Sequence, residues 1–483
     1  MSPSAAWSNE PWHGLIGQSA DDRPCIKDDR SVWITRSDLT RAARELGSRL
    51  VEDGPGLVFI FASNDVPAVV GLLAAWWARM PVALLDPNMA AEGVERLIGA
   101  YRPDIVLGRD IADANPLYRS VSAKHSLGVD SIALARAPRH GPINPELALL
   151  LSTSGSTGSP KFVRLARSAV VANARQIAKA LAIGPADVGI GHLPLHYSYG
   201  LSVLTSHLFA GASASLTNAQ VTEPRLWKRI AEDSGTQFPG VPFHYNVLDR
   251  LGIKRMVPAS VLTFTQAGGN LDLATRQRCY RAISERGGRF YVMYGQTEAG
   301  PRMTTLQSED FPNHSASVGL ALEGGTLSII DDNGVPQPPN IEGGVVYRGP
   351  NVMMGYATER EHLALADSQC GHLETGDRGV LSEDGFLTLT GRTQRFAKIA
   401  GLRIALDEIE ASVGAGGSVA AVAPNDKIIL YVHKSVVGDV KGNLIQLAQR
   451  LRLPTSVFVT RPVDAIPLKP SGKIDYTKLE RLE

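Results

Sequence analysis

Cysteine is scarce in this sequence. Cys25, Cys279 and Cys370 are the three cysteines among 483 residues, and they lie far apart. An odd number of widely spaced cysteines forms neither a metal-binding motif nor an even set of disulfides. We therefore expect a reducing compartment, the cytoplasm, and we expect each thiol to be a small buried apolar side chain.

Long apolar runs, a leader sequence and an excess of charge of one sign are also missing. Residues 66–78 form the longest apolar run, which is too short to span a bilayer. The N-terminus shows no basic region followed by an apolar run, so we expect no signal peptide. With 49 basic and 48 acidic side chains, the formal net charge is +1. We therefore expect no nucleic-acid partner and no membrane span.

What the chain does contain is enough length and apolar content for several packed units. Its 483 residues are 44% hydrophobic and 20% charged. That composition suits a globular protein of about two to four domains. In the first third, strand patterns alternate with helix patterns, which indicates βαβ units and a mostly parallel sheet. The predicted strands are 57–61, 82–85 and 105–107, and the predicted helices are 65–78 and 90–101.

The second half of the chain has a different pattern. From 315 to 390, short apolar runs alternate with Gly, Pro, Asn and Asp, which predicts a small antiparallel β unit. Residues 392–483 mix short strand and helix patterns, as in a small α+β domain. We therefore predict an α/β fold with a large region, residues 1–391, and a small C-terminal domain, residues 392–483.

One loop has the composition of an anion-binding site. A predicted buried strand at 147–151 leads into glycines, hydroxyl side chains and Lys161. Glycines permit close approach of the backbone to a ligand, and successive N–H groups with a lysine suit phosphate. The alternative is a flexible Ser/Gly linker, and a Walker A motif is excluded because Lys161 precedes Phe162. The loop residues concerned are Thr153, Ser154, Gly155, Ser156, Thr157 and Gly158.

This loop resembles the phosphate loop of the adenylate-forming enzymes. That superfamily of AMP-dependent synthetases and ligases includes acyl-CoA synthetases, adenylation domains and beetle luciferases. More of the family's motifs follow in the family's order, as far as residue 475. The resemblance implies a large N-terminal region of stacked α/β subdomains with a small β-barrel-like unit, followed by a small mobile α+β lid. It also implies that the loop, with Lys161, holds the β- and γ-phosphates of ATP.

Residues 291–299 (YVMYGQTEA) resemble the family's nucleotide motif. The resemblance implies that Tyr294 packs against adenine, that Thr297 bonds the α-phosphate and that Glu298 helps to hold Mg²⁺. Gly295 and Gln296 would lie beside the nucleotide. A carboxylate is a suitable ligand for this hard cation. Taken alone, the same pattern is more often a strand end with a solvated glutamate.

Two other stretches match the family further along. Residues 343–356 (GGVVYRGPNVMMGY) look like a structural motif, and we assign it no chemistry. Residues 374–377 (ETGD) resemble the ribose site, which implies that Asp377 accepts hydrogen bonds from the two ribose hydroxyls. A Thr-Gly-Asp turn alone would mean little.

The junction with the C-terminal domain resembles the family's hinge. The resemblance implies that Arg392 contacts the nucleotide and that Lys398 and Gly401 belong to a loop lining the pantetheine tunnel. Gln394 occupies the hinge position, where the family usually has Asp or Lys. Near the end, residues 467–475 (PLKPSGKID) resemble the catalytic-lysine motif. Lys473 would there neutralise charge that grows on the transferring phosphorus, although an exposed lysine is usually only solvated.

The acid pocket is predicted from three segments. Tyr197 takes the place where many acyl-CoA synthetases have His, and it is either an aromatic gate or simply a wall. No Asp stands where amino-acid-activating relatives hold the α-ammonium group, which favours an aryl acid or a short to medium acyl acid. The pocket residues implied by the resemblance are His196, Tyr197, Tyr199, Phe243, His244, Ala267, Gly268 and Gly269.

The resemblance implies an ATP- and Mg²⁺-dependent acid–thiol ligase. The carboxylic acid would first form acyl-AMP with release of pyrophosphate, and the lid would then turn to admit a thiol. That thiol is either CoA or the phosphopantetheine of an acyl or peptidyl carrier protein, and a shortened segment at 419–433 leaves the choice open. A luciferase-like oxygenase and a nucleotide-binding pseudoenzyme are the rival functions.

Overall fold

In a computed structural model, the chain is described over residues 22–482 with short gaps. The gaps are residues 31, 53–55, 114, 123–126, 128–130, 136–140, 153–160, 393–395, 400–401, 415–416, 425–426, 452 and 469–473. Several predicted site residues therefore lie outside the described residues. These are Thr153, Ser154, Gly155, Ser156, Thr157, Gly158, Gln394, Gly401 and Lys473.

Strands and helices alternate along most of the chain. The strands are β1 (Pro24–Lys27), β2 (Ile34–Thr35), β3 (Val58–Phe61), β4 (Val82–Leu85), β5 (Ile105–Leu107), β6 (Tyr118–Ser122), β7 (Ser131–Ala135), β8 (Leu147–Ser152), β9 (Phe162–Ala166), β10 (Val188–Gly191), β11 (Ser213–Leu216), β12 (Gln237–Gly240), β13 (Thr263–Gln266), β14 (Arg289–Tyr294), β15 (Thr304–Leu306), β16 (Leu320–Ala321), β17 (Thr326–Ile330), β18 (Gly343–Arg348), β19 (Gly355–Ala357), β20 (His372–Leu381), β21 (Leu387–Arg392), β22 (Phe396–Ile399), β23 (Leu402–Ala405), β24 (Val419–Val422), β25 (Ile428–His433) and β26 (Phe458–Val463). The α-helices are α1 (Arg36–Glu52), α2 (Val66–Trp77), α3 (Ala91–Tyr101), α4 (Arg167–Ala180), α5 (Ser198–Phe209), α6 (Pro224–Glu232), α7 (Pro242–Leu251), α8 (Ile253–Met256), α9 (Leu273–Ser284), α10 (Phe311–His314), α11 (Leu406–Val413), α12 (Val437–Leu451) and α13 (Tyr476–Glu480).

Two large sheets form the body of the molecule. The eight-stranded sheet has the order β19-β9-β8-β4-β3-β5-β7-β6, and the nine-stranded sheet has the order β16-β15-β14-β13-β12-β10-β11-β1-β2. Their central strands are parallel, as the alternation of strands and helices predicts, whereas strands toward the edges pair antiparallel. The α/β fold class is therefore confirmed.

Helix α2 lies inside the core. Its residues are buried on every side, and one apolar cluster joins them to strands of both sheets. A helix that is apolar all round is stable only when it is enclosed in this way. The Asp65 side chain accepts a 3.0 Å hydrogen bond from the Ala68 N–H and so caps its first turn. At the other end, the Trp76 indole N–H donates to the Ala148 carbonyl at 3.0 Å, which fixes the helix against β8.

Smaller units follow the two sheets. Strands β17, β18, β20 and β21 form the antiparallel unit that the pattern at 315–390 predicts. Beyond it, β24, β25 and β26 form a three-stranded sheet, which packs with α11 and α12 around a separate apolar cluster. The boundary predicted between residues 391 and 392 falls between the last two residues of β21, both of which pair with β20. The division into two domains stays a prediction.

Two expectations from composition meet the structure here. Cys25 and Cys279 are buried, but Cys370 is exposed, so the prediction that every thiol is buried is wrong. Cys370 lies in a turn, where its backbone has the left-handed φ of 49°. Within the described part of the chain, no helix is both long enough and apolar enough to cross a membrane.

Candidate active site

The nucleotide and ribose motifs meet at a tyrosine–aspartate contact. Tyr294 ends β14, and its hydroxyl donates a 2.5 Å hydrogen bond to Asp377 Oδ2 on β20. The two residues are 83 positions apart in sequence. Nearby, Gln296 Nε2 donates to the Thr375 carbonyl at 3.3 Å, and the Asp377 N–H donates to Thr375 Oγ1 at 3.1 Å. The two predicted motifs therefore lie in direct contact.

Backbone crowding explains the glycine of the nucleotide motif. A Cβ atom at Gly295 would lie 1.9 Å from the Pro301 carbonyl oxygen, so a side chain is excluded there. The chain then makes a short 3-10 helix, Thr297–Ala299. Thr297 Oγ1 lies 3.2 Å from Ser198 Oγ, at the start of α5. The motif predicted to bind the α-phosphate is thereby joined to the segment predicted to border the acid.

Glu298 is held by a tyrosine from β19. The Tyr356 hydroxyl donates a 2.9 Å hydrogen bond to Glu298 Oε1, and Lys161 Nζ lies 3.4 Å from the centre of the Tyr356 ring. Burial, followed by the negative charge of Glu298, raises the pKa of Tyr356, so this hydroxyl remains a donor. The Met353 N–H also donates to the Glu298 carbonyl at 2.9 Å. Tyr356 is thus the link between the predicted Mg²⁺ ligand and Lys161.

The bases of the two predicted functional loops are described, although the loops are not. Ser152 pairs with Phe162, so β8 and β9 form an antiparallel pair on either side of residues 153–160. Leu468 and Ile474 form an antiparallel bridge on either side of residues 469–473. Arg392 lies in β21, where its partner is Asp377, and Lys398 lies in β22, where its partner is Arg403. The side chains of Arg392 and Lys398 are outside the description.

Part of the predicted acid pocket is brought together around Tyr197. A Cβ atom at Gly268 would lie 2.5 Å from Tyr197 Oη, and Gly268 has φ +80°, which suits glycine. Tyr197 and Tyr199 have ring centres 6.3 Å apart in an edge-to-face arrangement. Tyr199 and Ala267 belong to one apolar cluster, and Tyr197 packs against it. In this structure the Tyr197 ring therefore covers the glycine segment.

The other predicted pocket residues have different neighbours. His244 Nδ1 lies 3.3 Å from His192 Nε2. The two imidazole rings are tilted by 46° with their centres 5.0 Å apart. The Phe243 side chain is 38% exposed to solvent. The Gly269 carbonyl accepts a 2.9 Å hydrogen bond from Gln266 Nε2. His196 is half-buried, and this burial lowers the pKa of its imidazole. None of the contacts described for these four residues joins them to Tyr197.

Three residues near the site were not predicted. Tyr356 closes a motif to which the sequence analysis assigned no chemistry, and Ser198 lies between two residues assigned to the acid pocket. Arg302 follows the nucleotide motif and is 2% exposed, with its guanidinium carbon 4.7 Å from the centre of the Tyr199 ring. A charged residue inside an apolar strand-and-turn segment was the available signal for Arg302.

Comparison with known proteins gives the family. The family model described as AMP-binding enzyme matches residues 16–357. The chain belongs to the AMP-binding enzyme family. The resemblance to adenylate-forming enzymes, read from separate motifs, is confirmed.

The relatives include both CoA ligases and carrier-protein ligases. The chain is 26% identical over 503 residues to the oxalate–CoA ligase of Arabidopsis thaliana, covering 95% of each chain. It is 29% identical over 352 residues to the L-proline–[L-prolyl-carrier protein] ligase of Streptomyces coelicolor, covering 69% of this chain and 66% of that one. The ATP-bound crystal structure of MatB from Rhodopseudomonas palustris has a TM-score of 0.80 at 22% identity, covering 98% of each chain. The chain is an enzyme of this adenylate-forming class, and the relatives support an AMP-forming acid–thiol ligase.

The described residues fit a magnesium nucleotide. Glu298 is half-buried, and no Lys or Arg among the described residues lies within ion-pair distance of its carboxylate. A half-buried carboxylate without a protein cation is suited to a hard metal ion. Asp377 is 4% exposed and faces the tyrosine predicted to contact adenine, which suits a hydroxyl-rich sugar.

Proposed function

We propose that this enzyme joins ATP and a carboxylic acid to give acyl-AMP and pyrophosphate, and then transfers the acyl group to a thiol. The observation that carries the proposal is the convergence of separate motifs. Hydrogen bonds and a cation–π contact link Lys161, Ser198, residues 294–298, Tyr356 and residues 375–377. Segments this far apart meet at one place only through the fold, and each carries a group suited to ATP.

In the first step, the chain's own residues bind and orient the reactants. Asp377 accepts from the ribose hydroxyls, and Tyr294 both orients Asp377 and flanks adenine. Thr297 and the loop at 153–161 hold the phosphates. Glu298, positioned by Tyr356, would hold Mg²⁺, which when bound supplies neutralisation of phosphate charge. Lys473 supplies positive charge near the α-phosphorus as the acid oxygen bonds to it and pyrophosphate leaves.

In the second step, the thiol displaces AMP from the acyl carbon. The C-terminal domain turns about Gln394, which withdraws Lys473 and presents the hairpin of β22 and β23 with Lys398. The thiol gives up its proton to solvent, its sulfur bonds to the acyl carbon, the bond to the AMP oxygen breaks, and AMP leaves with its electron pair. Because the same lid serves both half-reactions, water is kept away from the acyl-AMP in the interval between the first step and the second.

We favour CoA as the thiol. The oxalate–CoA ligase aligns over 95% of this chain and of its own length, whereas the L-prolyl-carrier protein ligase aligns over about two thirds of each. The phenyloxazoline synthase MbtB aligns over 99% of this chain but over 35% of its own length. A carrier-protein phosphopantetheine is the second candidate, because the L-prolyl-carrier protein ligase has the higher identity.

Acid-dependent release of pyrophosphate tests the function. We expect release from Mg²⁺-ATP with a suitable acid, and faster steady-state release when CoA is added. Release that ignores CoA but rises with a phosphopantetheine-loaded carrier protein would select the second candidate. Binding of ATP without release for any acid would contradict the proposal and favour a pseudoenzyme. Uptake of O₂ on adding ATP and acid would favour an oxygenase.

A further inference from the structure

The loop between β14 and β15 carries the residues at 296–298 that are predicted to meet the phosphates and the metal. The loop covers residues 295–302, and the Met303 N–H closes its base by donating to the Tyr294 carbonyl at 2.8 Å. Carbonyls along such a loop lie outside strand pairing, and buried backbone groups need partners. The shape of the loop therefore depends on donors that come from other parts of the chain.

A buried asparagine supplies two of these hydrogen bonds. Asn351 follows β18 and is 0% exposed. Its Nδ2 donates to the Ala299 carbonyl at 2.5 Å and to the Arg302 carbonyl at 3.3 Å. Its Oδ1 accepts a 2.8 Å hydrogen bond from the Tyr347 hydroxyl. Because both ends of the amide have partners, the Tyr347 hydroxyl fixes which end faces the loop.

The same segment of chain also holds Glu298 directly. The Met353 N–H donates to the Glu298 carbonyl at 2.9 Å, and the Tyr356 hydroxyl donates to the Glu298 carboxylate at 2.9 Å. The next carbonyl along the loop is that of Ala299, which takes the asparagine hydrogen bond. Residues 351–356 therefore contact the predicted Mg²⁺ ligand through its side chain, its own carbonyl and the carbonyl that follows it.

The other end of this segment reaches the predicted phosphate loop. Strand β19 pairs antiparallel with β9, and Ala357 lies opposite Phe162. Phe162 in turn lies opposite Ser152 on β8, across residues 153–160. Residues 351–357 therefore connect the loop that carries the predicted metal ligand to the base of the loop predicted to hold the β- and γ-phosphates.

We propose that Asn351 is a positioning residue for the magnesium nucleotide, because it holds the Ala299 carbonyl and so aims Glu298 at the metal. This inference rests on the proposed function, and it gives a role to the motif at 343–356, to which the sequence analysis assigned no chemistry. Without the amide donor, the Ala299 carbonyl loses its partner and the short 3-10 helix that contains Glu298 relaxes. Groups that orient a metal ligand change metal affinity without touching the ion.

A second buried asparagine on the same loop provides the matched comparison. Asn173 on α4 is 3% exposed, and its Nδ2 donates to the Arg302 carbonyl at 2.9 Å. That carbonyl lies next to Met303, at the end of the loop that strand pairing already closes. Loss of the Asn173 amide should therefore cost stability without moving Glu298. If Asn351 only added stability, substitutions of the two asparagines would have the same effects on nucleotide binding.

Calorimetry of ATP binding without any acid tests the proposal, because no turnover takes place. The affinity is measured with Mg²⁺ and again with EDTA, and we expect Mg²⁺ to strengthen binding to the wild type. Asn351→Leu has about the same shape without the polar atoms, and it should weaken binding of Mg²⁺-ATP by about ten-fold or more. Its affinities for metal-free ATP and for AMP should stay within about three-fold of the wild type. Asn173→Leu should leave all of these affinities within about three-fold.

An unchanged affinity of Asn351→Leu for Mg²⁺-ATP would overturn the proposal, and so would equal losses in the two leucine variants. A wild type whose ATP affinity ignores Mg²⁺ would also overturn it. In these cases acid-dependent pyrophosphate release still decides the proposed function, whereas a wild type that binds no ATP would count against both. If Asn351→Leu does not fold, Asn351→Asp decides by the same measurement, because it keeps the shape and the contact with Tyr347 but removes the amide donor.

Discussion

Tyr294 and Asp377 form a 2.5 Å hydrogen bond between the end of β14 and the middle of β20. This contact joins the large nine-stranded sheet to the small antiparallel unit. The adenine and ribose ends of a nucleoside lie close together, so a site that reads both must bring two such residues side by side. The contact therefore fixes the position of the predicted ribose acceptor, Asp377, relative to the tyrosine predicted to pack against adenine.

Removing the hydroxyl of Tyr294 tests this geometry. Tyr294→Phe keeps the ring but removes the hydrogen bond from this hydroxyl to Asp377. We expect AMP binding to weaken by about five-fold, the cost of one hydrogen bond. Asp377→Ala should weaken it by at least about ten-fold, because the predicted ribose acceptor is lost. Isothermal titration with AMP gives both values. Tyr280→Phe, a half-buried tyrosine whose ring stacks on Phe311, is the matched control. AMP affinity unchanged in Asp377→Ala would remove it from the site.

The contact between Tyr356 and Glu298 predicts an effect on magnesium. Tyr356→Phe removes the 2.9 Å hydrogen bond but keeps the ring under Lys161. We expect the Mg²⁺ concentration for half-maximal pyrophosphate release to rise by a few-fold, because the metal-binding carboxylate is no longer oriented. The KM for the acid should stay the same. Glu298→Ala should raise the Mg²⁺ requirement further, and an unchanged Mg²⁺ dependence in that variant would remove Glu298 from the metal site.

Lys473 is predicted to act only in adenylation. Lys473→Ala should slow single-turnover formation of acyl-AMP by about a hundred-fold or more while ATP still binds, since charge stabilisation at the transition state is lost. Thioester formation from supplied acyl-AMP should continue, because the lid has then withdrawn the lysine. Lys478→Ala changes an exposed lysine five positions away and should have neither effect. Wild-type rates of acyl-AMP formation in Lys473→Ala would exclude the assigned role.

Local patterns predicted the elements that are buried and regular. Strand β4 matches its prediction residue for residue, because Val82–Leu85 is an apolar run with a turn on either side. The prediction for Cys370 failed, because the average burial of cysteine says nothing about the turn at φ 49° in which this residue lies. The resemblance placed Tyr294, Glu298 and Asp377 in one site. The structure brings Tyr294 and Asp377 into contact with each other and Glu298 into contact with Tyr356.

The partners of Glu298 and Arg302 could not be predicted from the sequence. Tyr356 is 58 residues from Glu298, and periodicity carries no information about a contact at that distance. Arg302 follows a turn in the sequence, and only the folded chain shows that it is buried with no carboxylate of the described residues in ion-pair contact. Side-chain pairs between distant segments depend on packing of whole layers, which a single sequence does not display.

Buried histidines predict how stability depends on pH. Burial lowers the pKa of His207 and of His244 to about 4, from 6.5. Between these values the unfolded chain binds more protons than the folded one, so the free energy of unfolding rises with pH from about 4 to 6.5 and then levels. Each histidine should account for about 2 kcal/mol of the stability lost between pH 7.5 and pH 5. Denaturant unfolding at a series of pH values measures this loss.

Substitution of one of these histidines assigns the effect. His207 Nδ1 lies 2.7 Å from the Val203 carbonyl within α5, so His207→Leu removes the titrating group and leaves the helix and its buried face in place. The loss between pH 7.5 and pH 5 should then shrink by about 2 kcal/mol, whatever the absolute stability of the variant. A pH dependence identical to that of the wild type would show that His207 takes up no proton on unfolding in this range, and that its burial does not shape the acid limit of the fold.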